Sequence, residues 1–162
     1  MARWNADITD RLAEGAMAAA RGAGASVDRF EVSGSFELPA AVAMLADGGR
    51  YDAIVPIGCL VRGETPHFDV LARAVAHGLM RLSLDRAVAI PFGVLTCDTR
   101  AQARARAGGR AGNKGAEAME AALGMVALRQ ATSAIGRNVS RSAATASSRS
   151  TSTKRTRSPG TS

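Results

Sequence analysis

No acidic residue occurs in residues 131–162, where Arg137, Arg141, Arg149, Lys154, Arg155 and Arg157 stand uncompensated. Those six supply most of the formal net charge of +7; the other 15 Lys and Arg share residues 1–130 with all 14 acids. Basic character therefore belongs to the tail, and a nucleic-acid partner is argued by that charge alone. The tail also lacks aromatic residues to stack on bases, which leaves only salt-sensitive, nonspecific contact, so nucleic acid is not expected as a partner. No run approaches the roughly 18 uncharged apolar residues that a membrane span needs. The opening Met1-Ala2-Arg3-Trp4-Asn5 lacks the apolar stretch of a signal peptide. Cysteine is scarce too: Cys59 and Cys97 have no partner at metal-ligand spacing, so neither a disulfide framework nor a zinc site is expected. Buried thiols in a reducing cytoplasm fit them best.

What is present is a core. Apolar residues make up 46% of the chain and charged residues 22%, enough to expect a globular part. Ile8, Leu12, Ala16 and Ala19/Ala20 recur at helical spacing until Gly22 and Gly24. Residues 27–32 alternate apolar and polar, which predicts a strand. Pro39 suits the first turn of a helix reaching about Ala46. Residues 53–61 and 87–95 are continuous apolar runs, typical of strands buried on both faces. Helices are expected over about 68–84, 99–107 and from the Gly-rich break at 108–112 to about Gln130. Strands alternating with helices predict a parallel sheet covered on both sides. From 131 the periodicity ends and Ser and Thr supply 15 of 32 residues, so 131–162 is expected to be a disordered tail.

Open sheets of this kind bind ligands at the carboxyl ends of their strands. The exits expected here are Ser33–Glu37, Arg62–His67 and Phe92–Asp98. Arg62-Gly63-Glu64-Thr65-Pro66-His67 leads from a buried strand into a helix, whose unsatisfied N–H groups favour an anion such as phosphate. His67 beside such an anion could move protons near neutral pH; the plainer alternative is a tight loop with an exposed histidine. Gly34-Ser35-Phe36-Glu37 places a carboxylate in a first helical turn, either for the dipole or to accept bonds from a polyol. Arg104 to Gly115 gathers cations near glycines, either for a phosphate or as a helix end followed by a turn. Its lack of Gly-x-x-x-x-Gly-Lys-Ser/Thr excludes a P-loop. Aromatics are few (four Phe, one Tyr, one Trp), so Trp4 and Phe92 are either core or stacking surfaces for a flat heterocycle.

Taken together, Arg3-Trp4-Asn5 with Ile8-Thr9, Gly34-Ser35-Phe36-Glu37-Leu38-Pro39, Gly58…Val61-Arg62-Gly63-Glu64-Thr65-Pro66-His67-Phe68-Asp69, Phe92-Gly93-Val94-Leu95-Thr96, and Gln102…Arg106-Ala107-Gly108…Gly112-Asn113-Lys114-Gly115 resemble the 6,7-dimethyl-8-ribityllumazine synthase family. They occur in the family's order over about residues 3–130. The resemblance implies a flavodoxin-like, three-layer α/β/α sandwich over residues 1–130 and the penultimate step of riboflavin synthesis. In that step a ribitylamino-pyrimidinedione condenses with 3,4-dihydroxy-2-butanone 4-phosphate, losing phosphate and water, with no metal or organic cofactor. It implies His67 as the proton-transfer residue, and Arg106 as the phosphate ligand, with Lys114 nearby and donors at Glu64 and Thr65. Trp4 would stack on the pyrimidine and Phe92 close the pocket. Ser35, Phe36 and Glu37 would hold the ribityl chain and ring, and backbone at Cys59, Leu60 and Val61 would line the ring's edge. Family sites lie between subunits of a pentamer, Phe92, Arg106 and Lys114 coming from the neighbour; some members build pentamer-based shells.

Two departures accompany the resemblance. The family pattern has an apolar strand leading into Arg3-Trp4-Asn5, of which only Met1-Ala2 are present, so a truncated or mis-assigned start and a gap in the sheet are expected. The tail after about Gln130 has no counterpart; a shifted or read-through frame and a lineage-specific extension both give such a composition. The alternative to an active enzyme is a catalytically impaired oligomeric scaffold or flavin-like ligand binder of the same fold.

Overall fold

The computed structural model describes the backbone of residues 1–152 and the side chains of residues 1–135. The chain divides into two units, Met1–Val126 and Ala127–Ser162. The first contains α1 (Ala6–Gly22), a 3-10 turn (Ser35–Glu37), α2 (Leu38–Asp47), β1 (Ile57–Val61), α3 (His67–Asp85), β2 (Gly93–Cys97), α4 (Arg100–Arg106), β3 (Ala107–Gly109) and β4 (Gly112–Asn113). The last helix, α5, spans Lys114–Ser152. Much of the expected tail, 131–162, lies outside the described residues: the side chains from 136 onward and the whole of 153–162.

β1 and β2 pair in parallel from Ile57↔Gly93 to Val61↔Cys97. Successive side chains of a strand face opposite ways, and the burial follows that rule. Ile57 and Cys59 of β1, with Leu95 and Cys97 of β2, join a core with Ile8, Leu12 and Ala16 of α1, Ala103 of α4 and Met119 of α5. Val94 turns to the other face, onto Leu38 and Val42 of α2 and Val75 and Leu79 of α3. Helices on both faces of a parallel sheet make the flavodoxin-like three-layer arrangement.

The strands are shorter than the apolar runs that announce them. Proline cannot donate to a ladder, and Pro56 and Pro91 fall inside the two runs. Upstream of them a single parallel bridge, Ala53↔Ala89, joins the segments, and the continuous ladder begins only after them. Phe92 therefore lies at the entrance of β2, not at a strand exit as the sequence predicted. Directly after α4, the expected Gly-rich break is an antiparallel hairpin, β3–β4, with Gly108 at φ 89° and Gly112 at φ 73°.

The strand expected over 27–32 forms only the bridge Ala2↔Val32. Met1–Arg3 lies between this segment and β1: the Ala2 N–H donates to the Ile57 carbonyl at 2.8 Å, and the Arg3 N–H to the Val32 carbonyl at 2.8 Å. Alongside, residues 27–30 and 53–55 have no strand between them. They wall a groove of about 480 Å³ lined by apolar side chains including Ala16, Val42, Leu45, Ile54 and Leu123. A strand without a neighbour has no ladder, which is why 27–32 pairs only at its end, with Met1–Arg3.

Candidate active site

The N-terminal turn is built around Asn5. Its backbone is left-handed (φ 61°, ψ 43°), the one non-glycine residue with positive φ among the described residues. Its side-chain amide donates to the Cys59 carbonyl of β1 at 3.0 Å, and its Oδ1 accepts from Arg100 at 3.0 Å. Trp4, held just before this turn, is 65% exposed. The core-packing reading of Trp4 is thereby excluded. Its ring lies against Gly34, where an added Cβ would come within 2.9 Å of the indole.

Gly34 leads into the 3-10 turn, and its N–H donates to Glu37 Oε2 at 2.8 Å. The Glu37 carboxylate thus closes its own turn while staying exposed. Phe36 is exposed as well. Ser35 is buried, and its hydroxyl has no hydrogen-bond partner, the one such buried side-chain atom among the described residues. It sits against Gly58, where a Cβ would meet Ser35 Oγ at 2.7 Å. The structure therefore brings Trp4, Ser35, Glu37 and the Gly58-Cys59 backbone of β1 together. Cys59 contributes backbone only: burial pushes its thiol up to about 12, too high for a nucleophile at neutral pH.

At the exit of β1, Glu64, Thr65 and His67 are all exposed. His67 opens α3, following Pro66, and no side chain caps that helix. Its free N–H groups and the imidazole face solvent together, as an anion site with a proton carrier requires.

Phe92, Arg106 and Lys114 are elsewhere. They line a second groove, about 370 Å³, that follows β2 from Phe92 past Thr96 to Cys97 and includes Glu117. Trp4, Glu37 and His67 do not line it. Lys114 Nζ is engaged by both Glu117 carboxylate oxygens, at 2.9 and 2.7 Å. Arg106 donates only to the Gln102 carbonyl, at 3.1 Å, and has no carboxylate partner among the described residues. Arg106 is thus the groove's cation with charge to spare for a phosphate. The described residues thus form two separate groups: Trp4, Ser35, Glu37 and His67 on one side, and Phe92 and Arg106 along the groove beside β2. Sequence reasoning missed Asn5 as the organiser of the first and Arg62, which binds Asp69 and Asp98. A left-handed backbone and long-range ion pairs leave no local signal.

The family model described as 6,7-dimethyl-8-ribityllumazine synthase matches residues 1–130. A relative in Methylobacterium radiotolerans, a 6,7-dimethyl-8-ribityllumazine synthase, is 48% identical over 129 residues, covering 80% of this chain and 79% of the relative. The same enzyme in Corynebacterium glutamicum strain R is 51% identical over 124 residues, 75% of this chain and 77% of the relative. That in Frankia casuarinae is 50% identical over 130 residues, 78% of this chain and 80% of the relative.

Proposed function

Because the chain belongs to the 6,7-dimethyl-8-ribityllumazine synthase family, we propose that its two half-sites form one active site across a subunit interface. The reaction is the condensation of 5-amino-6-(D-ribitylamino)uracil with 3,4-dihydroxy-2-butanone 4-phosphate to 6,7-dimethyl-8-ribityllumazine, releasing phosphate and water.

In this reading Trp4 stacks on the pyrimidine, and Phe92 of a neighbouring copy closes the opposite side. The Glu37 carboxylate accepts bonds from the ribityl hydroxyls and the Ser35 hydroxyl donates to or accepts from them, with Phe36 as an apolar wall. The backbone of Cys59, Leu60 and Val61 lines the ring edge. Arg106 of the neighbour, with Thr65 and the N–H groups near Glu64, binds the phosphate; Lys114 adds positive charge. His67 takes a proton from the attacking amine and returns it to the departing hydroxyl as the imine forms. It then removes the carbon-bound proton whose loss expels phosphate. Holding both substrates in line supplies much of the rate, because the encounter of two molecules becomes a step within one complex.

The catalytic unit is residues 1–130, a pentamer or a shell of pentamers is the assembly, and the cytoplasm is the compartment. No helix among the described residues is long and apolar enough to cross a membrane. The observation that carries the reading is the separation of the half-sites: the groove holding Phe92 and Arg106 excludes His67, so a single copy lacks a complete site. The test is turnover: the purified protein, mixed with both substrates, should generate lumazine fluorescence in proportion to its oligomeric fraction. Absence of product from a preparation shown to be oligomeric would overturn it.

A further inference from the structure

We propose that Arg62 is a positioning residue, fixing the loop of residues 63–67 so that its phosphate donors and His67 hold their working geometry. Arg62 Nε donates to Asp98 Oδ1 at 2.8 Å, just past β2. Its two terminal nitrogens donate to the two carboxylate oxygens of Asp69, in the first turn of α3, at 2.8 and 3.1 Å. The guanidinium lies over the Phe68 ring, 4.3 Å from its centroid, and the Arg62 N–H donates to the Cys97 carbonyl at 2.9 Å. One residue thus joins the exits of β1 and β2 to the start of α3.

The loop has little else to hold it. No side chain of Glu64, Thr65 or His67 makes a hydrogen bond among the described residues, and no side chain caps α3. Arg62 stands immediately before the loop, and Phe68 and Asp69 immediately after it. A clamp at both ends is the way such a segment is kept in one conformation. An isolated exposed ion pair is weak because two long side chains must be ordered for it. Here one fork serves two carboxylates and a ring, so a single long side chain is ordered for three contacts. Lysine, a point charge without the planar fork, cannot make that set.

The inference rests on the site reading above, and the experiment separates the two. Wild type, R62Q, R62K and H67A are compared as whole proteins by turnover with both substrates, thermal melting and residue-resolved amide exchange. Misplacement of catalytic groups by about 1 Å costs rate steeply, so R62Q should lower kcat by about tenfold. It should also raise KM for the phosphate-bearing substrate about threefold or more while leaving KM for the pyrimidine unchanged. Exchange should accelerate in the first hydrogen-bonded turn of α3, beginning with Val70, whose N–H donates to the Pro66 carbonyl at 3.2 Å, and not in β1 or β2, with R62K closer to R62Q than to wild type. Unchanged kinetics and exchange in R62Q overturn the proposal. So does a lowered melting temperature with both KM values rising together, the signature of general loosening. Wild-type turnover in H67A would sink the site reading instead, and exchange at the start of α3 alone then decides for Arg62. Should R62Q not fold, R62K and D98N carry the same comparison.

Discussion

The side-chain amide of Asn5 donates to the carbonyl of Cys59 at 3.0 Å, fastening the turn that presents Trp4 to the middle of β1. The same residue holds a left-handed backbone, φ 61° and ψ 43°. The two features pull apart on mutation. Asn5→Ala loses this hydrogen bond and the one accepted from Arg100, each worth about 1 kcal/mol, and also strains the backbone by about 1–2 kcal/mol. Asn5→Gly loses both bonds but not the conformation. Chemical denaturation should therefore rank stability as wild type, then Asn5→Gly, then Asn5→Ala. Equal stability of the two variants would remove the strain from the explanation.

Trp4 is exposed, so little core packing depends on it. Trp4→Ala should leave the melting temperature within a few degrees of wild type. It should raise KM for the pyrimidine substrate about tenfold or more, since aromatic stacking of a base contributes about 1–3 kcal/mol. Steady-state kinetics with each substrate varied in turn measures it; an equal rise for the sugar phosphate would refute a stacking role.

Acid sensitivity follows from the arginine pairs. Hydrogen bonds from Arg100, Arg3 and Arg62 hold the carboxyls of Asp7, Glu31 and Asp69, respectively, below their ordinary values. A carboxylate with a lowered folded-state pKa stabilises the fold fully above its unfolded pKa, about 4. That contribution disappears as pH falls through the folded value. Melting temperature should be flat from pH 7 to 5 and decline below about 4, with a shallower decline in Asp69→Asn than in wild type. Identical acid profiles for the two proteins would contradict the assignment to Asp69.

The half-paired sheet makes a further difference visible. The N–H of Leu95 lies in the β1–β2 ladder, whereas that of Val55 has no partner among the described residues and borders the groove. Amide exchange should be slower at Leu95 than at Val55 by orders of magnitude, because only the ladder must open first. Comparable rates would mean that the groove is closed in solution.

Much of this was legible in the sequence. Ile8, Leu12, Ala16 and Ala20 announced α1 by their spacing, and two unbroken apolar runs announced β1 and β2, because burial on both faces leaves no room for polar alternation. The limits of β1 and β2 were not legible: an apolar run does not show where a ladder begins, and that is how Phe92 was placed at the wrong end of its strand. Glu37 and His67 stood out at strand exits and Trp4 as a rare aromatic, yet the exposure of Trp4 had to be seen. Arg62 and Asp69 stood in one motif, but the tie that Arg62 makes to β2 through Asp98, 36 positions away, was not legible. Of the strand that alternation predicted over 27–32, only the Ala2↔Val32 bridge forms, because alternation does not show whether a neighbour is there to pair with.

The measurement that bears most directly on a shared active site is complementation between two inactive variants. H67A damages the strand-exit half-site, and R106A damages the groove along β2. Co-refolded in equal amounts, the pair should recover roughly a quarter of wild-type turnover, because about that share of interfaces in a random cyclic assembly joins an intact His67 to an intact Arg106. A co-refolded mixture no more active than either variant alone, in oligomers shown to contain both, would contradict the shared site.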